Sequence, residues 1–157
     1  SFIVTEVRLV PVQGDRTQDN VGQENGEYFA LGSQILKASD YEQIEISVTV
    51  ENKTDRAIHF NPLGWSAKLP DGYELKEIET AGKIGEQMPS NYKEEGKIII
   101  TKEKEIHADR LILTYQFLDY NEEWSKAFSD LISGKLDLEQ YEEKFTPKPV
   151  EFELSLS

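Results

Sequence analysis

Two histidines, thirty carboxylates and no cysteine define the chemistry available to this chain of 157 residues. Without cysteine there are no disulfides, thiolate zinc sites or thiol nucleophiles. The most suggestive run is Glu105-Ile106-His107-Ala108-Asp109. In an extended backbone alternate side chains share a face, so Glu105, His107 and Asp109 would offer a divalent ion two carboxylates and an imidazole. Neither a second histidine nor a placed base accompanies them in sequence. The plainer reading is a solvated connection leading into the strand that starts at Leu111. His59 alternates with Ile58 and Phe60 and is expected on the solvent side of a strand.

The remaining motifs are weaker. Gly64-Trp65-Ser66-Ala67-Lys68 departs from the nucleophile elbow at its last position, and Ser90-Asn91-Tyr92-Lys93 has S-x-x-K spacing without the companion S-D-N and K-T-G motifs. The ten glycines are scattered, and none of them builds a phosphate-cradling loop. Adjacent acids such as Glu94 and Glu95, or Glu142 and Glu143, would point apart in a strand and offer no glycosidase dyad. Asp15 to Gly22 carries oxygen ligands out of the order a helix–loop–helix calcium site requires, which leaves a solvated loop. Asn52-Lys53-Thr54 is formally a glycosylation acceptor, although turn chemistry accounts for the same residues. Trp65, Tyr73, Tyr92, Tyr115, Trp124 and Tyr141 would make a sugar-stacking platform if exposed. Trp65 is in phase with Ala67 and Leu69, and Trp124 with Phe128, so both read first as core. The sequence assigns no catalytic, cofactor-binding or metal-binding residue, and the expected chain is not an enzyme.

The formal charge is −13 and the sequence pI about 4.6. Nucleic acid and anionic membrane surfaces would both be repelled, and no basic stripe offsets this. The longest uncharged run, Ala57 to Ala67, is well short of the roughly 20 residues of a membrane helix, so direct membrane insertion is not expected. No signal peptide is read at Ser1, where a strand-like segment begins.

The elements that must position these side chains are mostly strands. Ile44, Ile46, Val48 and Val50 alternate with Glu45, Ser47, Thr49 and Glu51, which predicts a strand with one face on a core. Val150, Phe152, Leu154 and Leu156 repeat that alternation. Ile3, Thr5, Val7 and Leu9 are read as one face of an N-terminal strand. Leu111 to Leu118 is apolar on both faces for part of its length and reads as a central strand. Weaker strands fit Tyr28 to Leu36, Ala57 to Phe60, Trp65 to Leu69, Tyr73 to Ile78 and Lys97 to Thr101. Asn52 to Asp55, Asn61 to Gly64 and Pro70-Asp71-Gly72 supply turns, the last as a hairpin. Gln13 to Gly26 and Ala81 to Gly96 are expected to be loops. From Asn121 the period changes: Trp124, Phe128, Leu131 and Ile132 recur at helical spacing, with Asn121 as N-cap and Gly134 as terminator. Asp137 and Gln140 form a capping-box pattern opening a second helix with Leu138, Tyr141 and Phe145 on its stripe. The predicted fold is mostly β: a single two-sheet sandwich over 1–157, with a helical hairpin inserted at 121–145. A barrel is the alternative. The hairpin is expected to dock on the sandwich through Trp124, Phe128, Leu131, Tyr141 and Phe145.

The order of strand Ile44 to Val50, turn Asn52-Lys53-Thr54, strand Ala57 to Phe60 and hairpin Trp65 to Gly72 resembles the immunoglobulin-like domains of secreted lipoproteins from Gram-positive bacteria, a family of unknown function. Gly96 to Ile100 and Leu111 to Phe117 complete the match, which spans Tyr41 to Asp119 and the last strand. The helical insertion departs from that pattern, and the lipid-bearing cysteine of those proteins is absent here. The resemblance implies an immunoglobulin-like sandwich, extracellular or anchored at the cell surface, and supplies no catalytic residues. The expected function is non-catalytic binding of a protein partner at the cell envelope. A carbohydrate-binding module using exposed aromatics is the alternative, and a metal-dependent enzyme using Glu105, His107 and Asp109 comes third.

Overall fold

The computed structural model describes residues 1–12, 28–60, 64–82, 84, 87–118 and 121–156. In chain order its strands are β1 (Phe2–Pro11), β2 (Tyr28–Leu31), β3 (Gln34–Lys37), β4 (Tyr41–Glu51), β5 (Ile58–His59) and β6 (Trp65–Lys68). They continue as β7 (Glu74–Leu75), β8 (Ile78–Gly82), β9 (Gln87–Met88), β10 (Lys93–Glu103) and β11 (Arg110–Phe117). Helices α1 (Glu122–Ile132) and α2 (Leu138–Lys144) then precede β12 (Lys148–Ser155). Two four-stranded antiparallel sheets, β1-β4-β10-β8 and β12-β11-β6-β7, close on one core. The architecture is a β-sandwich with a late helical insertion.

The alternation in β4 sets that core. Ile44, Ile46, Val48 and Val50 are all essentially inaccessible, as are Ile98 and Ile100 beside them on β10. Leu111, Leu113 and Tyr115 of β11 meet them from the second sheet. β11 lies between β12 and β6, the central position expected from its two apolar faces. Phe2 ties one end together, in ring contact with Phe60, Trp65 and Tyr115.

Four expectations need correction. In β1 the pairing with β4 slips between Val4 and Glu6. This bulge moves one residue out of phase and reverses which side faces inward. Phe2, Val4 and Val7 pack on the core, while Ile3, Thr5 and Leu9 are exposed. Tyr28 to Leu36 is a hairpin, because Gly32 takes a φ of 60° that turns the chain between β2 and β3. Tyr73 to Ile78 is broken at Lys76-Glu77, so that β7 joins one sheet and β8 the other. The expected loop from Ala81 to Gly96 carries β9 and the start of β10, and it buries Ile84 and Met88. Gly96 makes that packing possible: a Cβ there would stand 2.5 Å from the Ile84 side chain. The expected loop Gln13 to Gly26 lies outside the described residues.

Candidate interaction site

The sequence candidates for chemistry that fall within the described residues have definite places. His107 Nε2 lies 3.0 Å from Asp109 Oδ1, both side chains largely exposed. Glu105 does not join them. It shares a hydrogen bond with Glu103 instead, which with desolvation and the nearby carboxylates of Glu105 and Asp40 holds the Glu103 carboxyl above its ordinary range. Among the described residues no three His, Asp or Glu side chains converge as a metal site would require. His59 is half-buried in β5 between buried Ile58 and Phe60, not out in solvent as expected, because the short β5 pairs with β9 over the core. Ser66 faces outward from β6. The Ser90 hydroxyl donates to the carbonyl of Thr54 and so clamps a turn. Asp15 to Gly22 lies outside the described residues.

Asn52 is a buried structural hub. Its Nδ2 donates to the carbonyls of Arg56 (2.8 Å) and Met88 (3.0 Å), and its Oδ1 accepts from the Thr54 amide (3.0 Å) and hydroxyl (2.6 Å). The acceptor-like triplet thus locks the β4–β5 turn against β9, with Nδ2 already engaged inside the protein.

Next to that core lies a buried ion pair that sequence reasoning missed. The Lys102 ammonium is 2.5 Å from Glu42 Oε1 and also donates to the carbonyls of Glu103 (3.3 Å) and Ile106 (2.7 Å). In sequence Lys102 is simply one more lysine after an apolar run. Only the pairing of β10 with β4, which sets Lys102 opposite Glu42, reveals its partner. Beside it Tyr41, Lys102 and Glu103, with Leu31, Leu36 and Tyr73, line an open depression of about 550 Å³. The Tyr41 phenol is pushed up by burial and then by the carboxylates of Glu103, Asp40 and Glu105. A group with three internal acceptors serves packing, since leaving a buried charge unpaired is strongly destabilising.

The aromatic candidates separate. Trp65 and Tyr115 are core residues in mutual ring contact. Tyr73 and Tyr92 are about half exposed, in two different turns. Trp124 and Tyr141 belong to the helical hairpin, whose sequence signals are all realised. Asn121 Oδ1 accepts from the Trp124 amide at 2.9 Å, Gly134 has a φ of 81°, and Asp137 and Gln140 close the capping box. The Trp124 indole stacks on Phe128 at 5.2 Å and 16°, and its Nε1 donates to the Tyr141 hydroxyl at 2.8 Å. Tyr141 in turn touches Phe145. The expected docking on the sandwich is not seen among the described residues: the rings pack on each other, and neither they nor Leu131 belong to the apolar cluster of the sandwich core. Neither helix contains a fully buried residue. The reason lies in the strands. Phe117 at the end of β11 pairs with Lys148 at the start of β12, so the segment between them is attached at one sheet corner and leaves the sheets there. Its outer apolar residues are Phe128, Ile132 and Leu138, 40%, 71% and 58% exposed.

No family model matches this chain, and no curated protein does. Solved structures do. The yjhA protein from Bacillus subtilis is similar over 99% of this chain and 90% of its own, with 17% identity and a TM-score of 0.56. A putative lipoprotein (ycdA) from Bacillus subtilis is similar over 98% of this chain and 35% of its own, with 11% identity and a TM-score of 0.53. At these identities the likeness is one of fold. Among the described residues no helix is long and apolar enough to cross a membrane.

Proposed function

We propose that this chain is a non-catalytic, immunoglobulin-like interaction domain of the cell envelope that binds another protein through its helical hairpin. The observation that carries this reading is the position of α1 and α2. They are ordered by their own ring contacts, stand outside the sandwich core, and present three large apolar side chains to solvent. Short helices of two or three turns do not persist without packing, and exposed clusters of large apolar residues mark binding surfaces. A rigid scaffold carrying such an element at one corner suits recognition better than catalysis. The cell-envelope setting draws support from the resemblance of Val48 to Thr54 to secreted lipoprotein domains and from the fold shared with the putative lipoprotein ycdA.

Site-specific photo-crosslinking tests the reading. A photoreactive residue placed at Ile132 should form an adduct with a protein on intact cells, whereas the same residue at Glu151, exposed on β12, should not. Adducts at neither position, or equally at both, would overturn it.

A further inference from the structure

We infer that the partner segment taken by the hairpin is cationic and amphipathic, an inference that rests on the recognition reading above. Phe128 and Ile132 stand one turn apart on α1 and form a continuous ridge. Leu138, at the start of α2, is a third exposed apolar side chain of the hairpin. A partner must therefore bring apolar side chains. The rim has one dominant sign: over 121–145 there are seven acids against three lysines. Asp137 and Glu139 flank Leu138, and Glu142 follows it one turn later, all three exposed. Lys126 projects from the far side of α1 relative to Phe128 by helical phase. A second copy of this chain would bring an equally acidic lobe and another −13 charges to the contact, and like charges in juxtaposition weigh against it. An anionic lipid surface fails for the same reason. A basic amphipathic segment meets both demands, because apolar residues cover the ridge while lysine or arginine reaches the rim carboxylates.

The test uses the intact chain and three synthetic 18-residue peptides: a Leu/Lys amphipathic helix, a Lys/Ser peptide of equal charge, and a Leu/Glu amphipathic helix. Amide shifts followed by NMR locate the contact, and calorimetry gives affinities at two salt concentrations. The Leu/Lys peptide should shift amides within 121–145 and bind at least tenfold more tightly than either control. The combined Ile132→Ser and Leu138→Ser variant should lose that tenfold advantage. Glu139→Gln with Glu142→Gln should weaken binding severalfold and flatten its salt dependence. Both variants change exposed residues, and a native amide spectrum verifies their fold. Equal binding of the Leu/Glu peptide, shifts confined to the sandwich, or indifference to the Ile132 and Leu138 changes would each overturn the inference. If Ile132 crosslinks to a protein while the Leu/Lys peptide leaves the hairpin unshifted, the cationic assignment fails and the recognition reading stands. Without crosslinks, the recognition reading itself fails.

Discussion

Replacing Asn52 with alanine should be among the most damaging single changes in the chain. The side chain is about 1% exposed and makes five hydrogen bonds, to the turn it closes, to β9 and to the Pro89 carbonyl beyond it. Truncation strands the buried Met88 carbonyl, at about 1–3 kcal/mol, and removes the bonds to Thr54 at roughly 0.5–1.5 kcal/mol each. The contributions overlap, and the expected loss is about 3 kcal/mol. For a domain of this size that lowers Tm by about 6–12 °C. Asn52→Asp separates polarity from shape. The carboxylate fits the same space but turns an acceptor toward the Arg56 and Met88 carbonyls, so at pH 7 it should cost at least as much as alanine. The two Thr54 donors favour the carboxylate, but burial and the two facing carbonyls oppose it more strongly, so its folded pKa should exceed its unfolded value of about 3.9. Stability of this variant relative to wild type should therefore recover as pH falls through the folded pKa, because the protonated acid regains a donor. Urea unfolding of wild type and both variants between pH 7 and 4 measures this. Losses within about half a kcal/mol for both variants would refute the hub, since surface changes fall in that range.

Val48→Ala and Leu113→Ala should each cost about 2–4 kcal/mol in urea unfolding, because each opens a cavity between the two sheets. Gly96→Ala should cost about 1–3 kcal/mol, since its Cβ would meet Ile84 at 2.5 Å and the Ala81 carbonyl at 2.8 Å; a neutral result would place Ile84 elsewhere. The hydrogen bond from Arg8 to Glu45, 2.7 Å long, holds the Glu45 carboxyl below its ordinary range. Its stabilisation is present above the unfolded value and lost as pH falls through the folded one. Arg8→Ala should therefore destabilise the chain only slightly at pH 7, as an exposed ion pair does, and that difference should vanish in thermal melts below both values.

Much of the sandwich was legible because period-two alternation reports directly on a half-buried strand, as in β4, β11 and β12. The helical hairpin was legible for the same kind of reason: Asn121, Gly134 and the Asp137–Gln140 pair are local signals whose partners lie within three residues. The failures share one cause, which is dependence on a distant partner. The β1 bulge exists only in its pairing with β4, so Ile3 read as core lies in solvent, while Leu9, opposite Ile44 near the end of this edge strand, stays exposed. Ile84 and Met88 sit among turn-forming residues; Ile84 becomes core because Gly96 lets the chain approach, and Met88 because β9 pairs with β5. Lys102 finds Glu42 only across the β10–β4 ladder. At the hairpin the apolar stripe was read correctly, but its destination was not. A stripe on one helix says that something covers it, and here Trp124, Phe128, Tyr141 and Phe145 cover one another.

Equilibrium unfolding of a chain in which 121–145 is replaced by a short Gly-Ser linker tests the central claim most directly. Phe117 and Lys148 are paired neighbours, so a short linker can close β11 onto β12 without strain. If the hairpin is a recognition lobe outside the core, the remnant should unfold cooperatively within about 1 kcal/mol of the parent; shortening the connection roughly fourfold offsets about 1.2 kcal/mol of closure entropy. A remnant destabilised by more than about 3 kcal/mol, or one that aggregates, would show that the helices cover the sandwich and would contradict the account.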